Sequence, residues 1–271
     1  ADKPVSTLQA AAIATAQAWE DILSSNDTSF NTSVGEGALS DALLTGVNNT
    51  ATGYQSLLSN ESGHSNTASG YRSLLLNTSG VRHTATGFQT LFNNVDGNYN
   101  TATGYQALYL NVSGSSNVAT GYQSLYGNTA SNNTSIGYLA GRYQSGGTLS
   151  LTTASNSVFV GYNAKGVEGA SNQLVLGFAA DSIGANSVVL GNDSITTTAL
   201  KGNVGIGTTT PGSALQVVGD VDTDGSYQKG GATILDTDST LFNTSVGEGS
   251  LSDALLTGTG NTATGYQSLI S

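Results

Sequence analysis

The stretch NTATGYQSLLSNESGHS (residues 49–65) is followed by NTASGYRSLLLNTSGVR (66–82) and then, with His83 in place of the leading Asn, by HTATGFQTLFNN (83–94). Taking the Gly before the aromatic as origin, the series runs Gly35, Gly53, Gly70, Gly87, Gly104, Gly121 and Gly137. The steps are 18, then 17 four times, then 16. A looser continuation through Gly161, Gly177, Gly191 and Gly205 has steps of 24, 16, 14 and 14. A fixed period of this size indicates a solenoid.

Other positions keep the same phase. An aromatic follows the Gly at Tyr54, Tyr71, Phe88, Tyr105, Tyr122, Tyr138, Tyr162 and Phe178. Leu sits four residues after it (Leu57, Leu74, Leu91, Leu108, Leu125), Asn seven after it (Asn60, Asn77, Asn94, Asn111, Asn128) and a second Gly ten after it (Gly63, Gly80, Gly97, Gly114). Each unit carries two Gly and several Thr, Ser and Asn, which disfavour helix interiors. Short strands suit Thr, Tyr and Val. The period therefore predicts an all-β protein, a parallel β-solenoid with coils of 14–18 residues. One strand is expected around TATGY and a second around SLL, with turns at Asn and Gly. Eleven coils stacked about 4.8 Å apart would make a rod of roughly 50 Å.

Composition agrees. Of 271 residues only 9% are charged, 36 are Gly, two are Pro, and Cys and Met are absent. Disorder usually requires high charge density, so self-similarity explains the bias better. The formal net charge of −11, with seven dispersed Lys and Arg, argues against a nucleic-acid partner, because phosphate binding relies on clustered cations. No apolar run approaches the roughly 18 residues of a membrane span. No signal-peptide pattern opens the chain. The absent initial Met is read as processing or as excision from a longer protein.

The strands SVFVGY (157–162), QLVLGF (173–178) and SVVLGN (187–192) are apolar at successive positions, so both faces call for burial. One face can point into its own coil. The other is expected to meet a sister chain, with the Gly column allowing close approach, in a homo-oligomer wound about a shared axis.

The units NTATGYQSL, NTASGYRSL and NSVVLGNDSI resemble the left-handed parallel β-roll of trimeric autotransporter adhesin heads, and still more the β-roll segments of bacteriophage tail fibres. The stretch LKGNVGIGTTTPGSALQVVGDVDTDGSYQKGGATIL (200–235) is similar to a connector of such fibres, and DKPVSTLQAAAIATAQA (2–18) to a leader that opens a short helix. The resemblance implies a homotrimeric fibre of a virion or cell surface, without enzymatic activity. It implies host attachment, with a host glycan or protein as contact and self-association as the main partnership. Modules joined end to end are a further expectation: FNTSVGEGALSDALLTG (30–46) recurs as FNTSVGEGSLSDALLTG (242–258), 212 residues on.

The expected organisation is a helical connector or cap over 1–28, with Leu8, Ala12, Ala16, Trp19 and Leu23 at helical spacing. The β-roll array follows over 29–205 with an excursion near 139–156, then a neck over 206–239 and the start of a second roll over 240–271.

No catalytic, cofactor-binding or metal site is assigned from the sequence. Glycan cleavage would need two carboxylates about 5–10 Å apart. Between 49 and 135 the only acids are Glu61 and Asp96, in turns two coils apart, and both are read as solvated. Asp220, Asp222, Asp224 and Gly225 begin like a calcium loop, but its twelfth position is Gly231 instead of a bidentate Glu. GNVGIG (202–207) lacks the third Gly and the βαβ setting of a dinucleotide loop. His64 and His83 are read as solvent-facing in adjacent turns rather than as metal ligands. The sequons at Asn60, Asn77 and Asn111 are read as structural, their amides stacking in ladders. Thr50/Thr52, Thr84/Thr86 and Thr101/Thr103 form Thr-x-Thr columns of the kind seen on ice-binding solenoids; inward or interchain packing is the expected explanation.

Overall fold

A computed structural model of the chain describes residues 23–26, 29–41 and 44–218, and beyond them the strands at 227–229, 232–238, 243–246 and 262–264. The chain divides into two units, Ala1–Thr197 and Thr198–Ser271.

The first unit is one parallel β-solenoid. Its sheet runs in chain order through β1 (Leu23–Asn26), β2 (Asn31–Val34), β3 (Thr50–Thr52), β4 (Thr67–Ser69), β5 (Thr84–Thr86), β6 (Thr101–Thr103), β7 (Val118–Thr120), β8 (Thr134–Ile136), β9 (Val158–Val160), β10 (Gln173–Leu176) and β11 (Ser187–Leu190). From β2 onward every pairing is parallel and in register, Thr50 against Thr67, Thr67 against Thr84, Thr84 against Thr101. Ten parallel strands give nine steps, or roughly 43 Å at the usual spacing.

The three-residue strands bury only their middle side chain. Ala51, Ala68, Ala85, Ala102 and Ala119 point into the coil and meet the Leu column, Leu57 to Leu125, all fully buried. The Thr on either side point outward and are mostly exposed. Inward packing of the Thr-x-Thr columns is thus ruled out, since strand alternation sends both Thr to the outer face.

The second strand expected around SLL does not form. In each regular coil the second and fourth residues after the Gly take a left-handed backbone, Gln55 at φ 53° and Leu57 at 51°, and so on to Gln123 and Leu125. This tight turn still bonds coil to coil: Leu57 N–H donates to Ser73 O, and Leu74 N–H to Thr90 O, each at 3.0 Å. The cost of left-handed non-Gly residues is met by these rung-to-rung bonds and by the buried Leu. The Gly column has its reason inside the chain too. Gly87 has φ +133°, and a Cβ there would lie 2.2 Å from Gly104 O.

One coil is rearranged. Between β8 and β9 the chain makes its excursion, pinned by an antiparallel bridge of Tyr143 with Ser150 and a parallel bridge of Gln144 with Gly166. Where the other coils bury Leu, this one has Gly141; where they bury Ala, the next has Phe159. A Cβ on Gly141 would stand 2.9 Å from the Phe159 ring, and one on Gly166 2.8 Å from it. The ring occupies the volume that the missing Leu vacates, and Leu151 from the excursion joins it in the core.

The start of the roll differs from expectation. Leu23–Asn26 is a strand lying antiparallel on β2, not the end of a helix; Leu8, Ala12, Ala16 and Trp19 lie outside the described residues. An antiparallel strand covers the open N–H and C=O groups of the first rung, the covering that a solenoid end requires.

In the second unit, β12 (Val204–Ile206) pairs in parallel with β13 (Leu215–Val217). Gly205 therefore lies in a separate two-stranded sheet and does not extend the roll. A four-stranded sheet follows: β14 (Tyr227–Lys229), β15 (Ala232–Asp238), β16 (Asn243–Val246) and β17 (Thr262–Thr264). Its pairings copy the start of the first unit. Leu235 to Asp238 lie antiparallel on Val246 to Asn243 as Leu23 to Asn26 lie on Val34 to Asn31, and Thr244 pairs with Thr262 as Thr32 does with Thr50.

Candidate functional site

The repeat builds continuous files of like side chains along the axis. The Asn seven residues after the Gly form one. Asn77 Nδ2 donates to Asn60 Oδ1 at 2.8 Å, Asn94 Nδ2 to Asn77 Oδ1 at 2.8 Å and Asn111 Nδ2 to Asn94 Oδ1 at 3.0 Å. Each amide also donates to the carbonyl three residues on, as Asn60 does to Gly63 O at 2.9 Å. The file stops at Asn111, whose Oδ1 is buried without a partner, because Asn128 donates instead to Ala154 O. With Asn60, Asn77 and Asn111 fully buried, the three sequons hold structural amides, as expected.

A second file was not expected. The residue before each of β3 to β8 (Asn49, Asn66, His83, Asn100, Asn117, Asn133), like Asn31 at the start of β2, accepts the N–H of its counterpart one coil on. Asn49 N–H donates to Asn31 Oδ1 at 2.8 Å and Asn66 N–H to Asn49 Oδ1 at 3.0 Å. The amide nitrogens meanwhile donate to the carbonyl fourteen residues ahead, Asn49 to Gly63 and Asn100 to Gly114. This leading Asn was visible in the repeats from Asn31 to Asn133 other than that of His83, but nothing in its identity separated a buried ladder from a turn.

His83 occupies an Asn place in this file and is buried, which corrects its reading as solvent-facing. Asn100 N–H donates to its Nδ1 at 3.2 Å, so Nδ1 stands in for an amide oxygen and the ring proton sits on Nε2. The ring also hydrogen-bonds the Gly97 backbone, fourteen residues on, and its Nε2 lies 3.1 Å from Asn94 Nδ2. Burial lowers the His83 pKa from 6.5 to about 4, partly offset by the Gly97 carbonyl. His64 is half-buried, its Nδ1 3.3 Å from Ser65 Oγ. The two histidines share no ligand geometry, and no group of three or more His, Cys, Asp or Glu suited to a metal occurs among the described residues.

The aromatics that follow the Gly stack face to face in one file from Tyr54 to Phe178. Centroids lie 4.9 to 5.4 Å apart and the planes within 13°. A shorter file, Phe92, Tyr109 and Tyr126, is closed by the Arg142 guanidinium 4.6 Å from the Tyr126 ring. Gln123 donates to Gln106, and Gln106 to Gln89, each at 2.8 Å.

The carboxylates are dispersed. Glu61 and Asp96 are exposed on turns two coils apart, and their carboxylates have no hydrogen-bonded or ion-paired partner among the described residues. Glu168 is structural: it accepts from Thr152 N–H at 2.8 Å, from Thr152 Oγ1 and from Thr153 Oγ1 at 2.6 Å, tying the excursion to the following coil. Burial pushes its carboxyl up, but these hydrogen bonds outweigh it and hold the pKa below the ordinary value. Asp181 pairs with Lys165 at 3.2 Å and lines a cavity of about 130 Å³ with Ile183, Val189 and Asp193, smaller than ligand pockets usually are. Asp220 to Gly225 and Gly231 lie outside the described residues. GNVGIG is the parallel strand β12 and its flanks. No described helix is long and apolar enough to cross a membrane.

Comparison with protein-family models, with curated proteins and with solved structures returns no match.

Proposed function

We propose that this chain is a non-enzymatic structural shaft segment of a trimeric, phage tail-fibre-like appendage, supporting host attachment by holding a binding tip away from the particle. The observation that carries it is the set of files running along one axis: backbone rungs, two polar ladders and a stack of eight rings. Each file resists bending and shear along the rod, and none converges on a point where a reaction could be concentrated. A bacterial surface adhesin built on the same roll is the alternative within this class. Light scattering on the purified chain tests the proposal; a mass near three chains is expected, and a stable folded monomer overturns it.

One observation favours a second reading. The Thr pairs of β3, β5 and β6 face outward on a flat parallel face, as an ice-binding solenoid would require. Thermal hysteresis by a monomeric chain would establish it in place of the shaft.

A further inference from the structure

Two outward stripes border the Gly corner from β3 to β11. On one side are the outer residues of the strands, Thr in β3, β5 and β6, becoming Val158/Val160, Leu174/Leu176 and Val188/Leu190 in β9 to β11. On the other side, one residue past the Gly, is the file of eight rings.

The rings remain from 38% exposed at Tyr54 to 66% at Phe178. At about 200 Å² of buriable area per aromatic side chain, their exposed part amounts to roughly 700 Å². That already exceeds the roughly 300–600 Å² of the largest apolar patch on an ordinary monomer, and it approaches the roughly 800 Å² that each partner gives to a standard interface. The strand stripe adds Ile136, Val188 and Leu190, each about half exposed or more.

Charge identifies the occupant. The formal net charge is −11, so two copies repel wherever their acids meet. From Thr50 to Asn192, neither stripe holds an acidic residue; Glu61, Asp96 and Glu168 all stand elsewhere on the coil, and a cation, Arg72, lies over the file itself, 5.1 Å from the Tyr71 ring and 5.9 Å from the Tyr54 ring. An aromatic-rich face without acids on an acidic chain suits a second copy of that chain better than a cationic partner.

The sequence of the strand stripe then fixes the direction of approach. Two copies related by an axis across the rod would run antiparallel and set the Val/Leu coils of one against the Thr coils of the other. Copies arranged about an axis along the rod match Val/Leu coil to Val/Leu coil. A head-to-tail contact of two different stripes closes into a ring when the rotation allows.

We propose that these two stripes are the two halves of one interface between parallel copies of this chain, the aromatic file of one copy lying against the strand stripe of the next. This rests on the trimeric shaft and names the surface that holds it together.

The absence of Cys in the chain gives a direct test. Full-length chains carrying Thr103→Cys, Tyr105→Cys or, on the exposed turn of the same coil, Ser113→Cys are mixed in pairs with distinguishable tags, refolded together and oxidised. The Thr103→Cys with Tyr105→Cys pair should give a mixed dimer in at least tenfold excess over any pair containing Ser113→Cys. A second variant, Leu176→Glu, should reduce the mass by light scattering to one chain while amide-exchange protection of β4 to β6 persists. If the unaltered chain is an oligomer but cross-links through Ser113→Cys, or if Leu176→Glu leaves its mass unchanged, this interface is wrong and the shaft stands. A monomeric unaltered chain overturns both.

Discussion

His83 is the one titratable member of a ladder otherwise made of amides and, further on, of Ser157 and Gln173, and its protonation has a calculable cost. The groups around it are neutral: Asn66, Asn94 and Asn100 side chains and the Gly97 carbonyl. The neighbouring Arg82 turns away to the Tyr99 hydroxyl at 2.5 Å. A proton on Nδ1 would set a donor against the Asn100 N–H in a buried site. The folded pKa is about 4, against 6.5 unfolded. Between these values the unfolded chain binds more protons, so stability is fully present above pH 6.5 and is lost as pH falls towards 4. At about 1.4 kcal/mol per pKa unit, the loss is roughly 3 kcal/mol. His83→Asn restores the amide and removes this dependence. Urea unfolding of both proteins at pH 7.5 and pH 4, at one protein concentration, isolates it, because the carboxylates titrate alike in both and cancel. The unaltered chain should lose about 3 kcal/mol more than His83→Asn over that interval. Equal losses would refute the buried, neutral imidazole.

Other outcomes follow from the same packing. Asn94→Ala removes donations to Asn77 and Gly97 and takes one of the two acceptors from each of the Asn111 and Asn100 amides; thermal or urea unfolding should report a loss of roughly 2–4 kcal/mol. Phe159→Ala should cost about 3–5 kcal/mol, and Gly141→Leu alone should also destabilise, because it runs into that ring. The double variant puts the usual Leu and Ala at these two positions of adjoining coils and should recover most of the loss, measured as a coupling energy in a double-mutant cycle. Gly87→Ala puts a methyl into Gly104 O at an unfavourable φ and should cost about 3 kcal/mol or more, read from the unfolding midpoint.

The solenoid was legible because its period is stated six times from Gly35 to Gly137, and because Ala between two Thr can bury only one side chain. The Leu column and the Asn ladder seven residues past the Gly followed from phase alone. The left-handed turn at Gln55 and Leu57 was not legible, because neither residue prefers that backbone; the adjoining coil's hydrogen bonds impose it, and those exist only after stacking. His83 was misplaced for a related reason. A lone His in a polar turn looks solvated, and only the ladder reveals that an imidazole can copy an amide with one acceptor and one donor. Leu23 fitted a helical stripe with Leu8 and Trp19, yet its backbone belongs to the strand that closes the first rung. Gly205 kept the phase without the contacts, since its strand pairs with β13 in a separate sheet.

The antiparallel pair that opens the first roll is written again, partner for partner, 212 residues later. A lid and a first rung that recur as one block behave like the head of a carriage: whatever is coupled behind them needs only the right pitch. Chain length can then change by copying whole blocks in the gene, with no interior contact to reinvent.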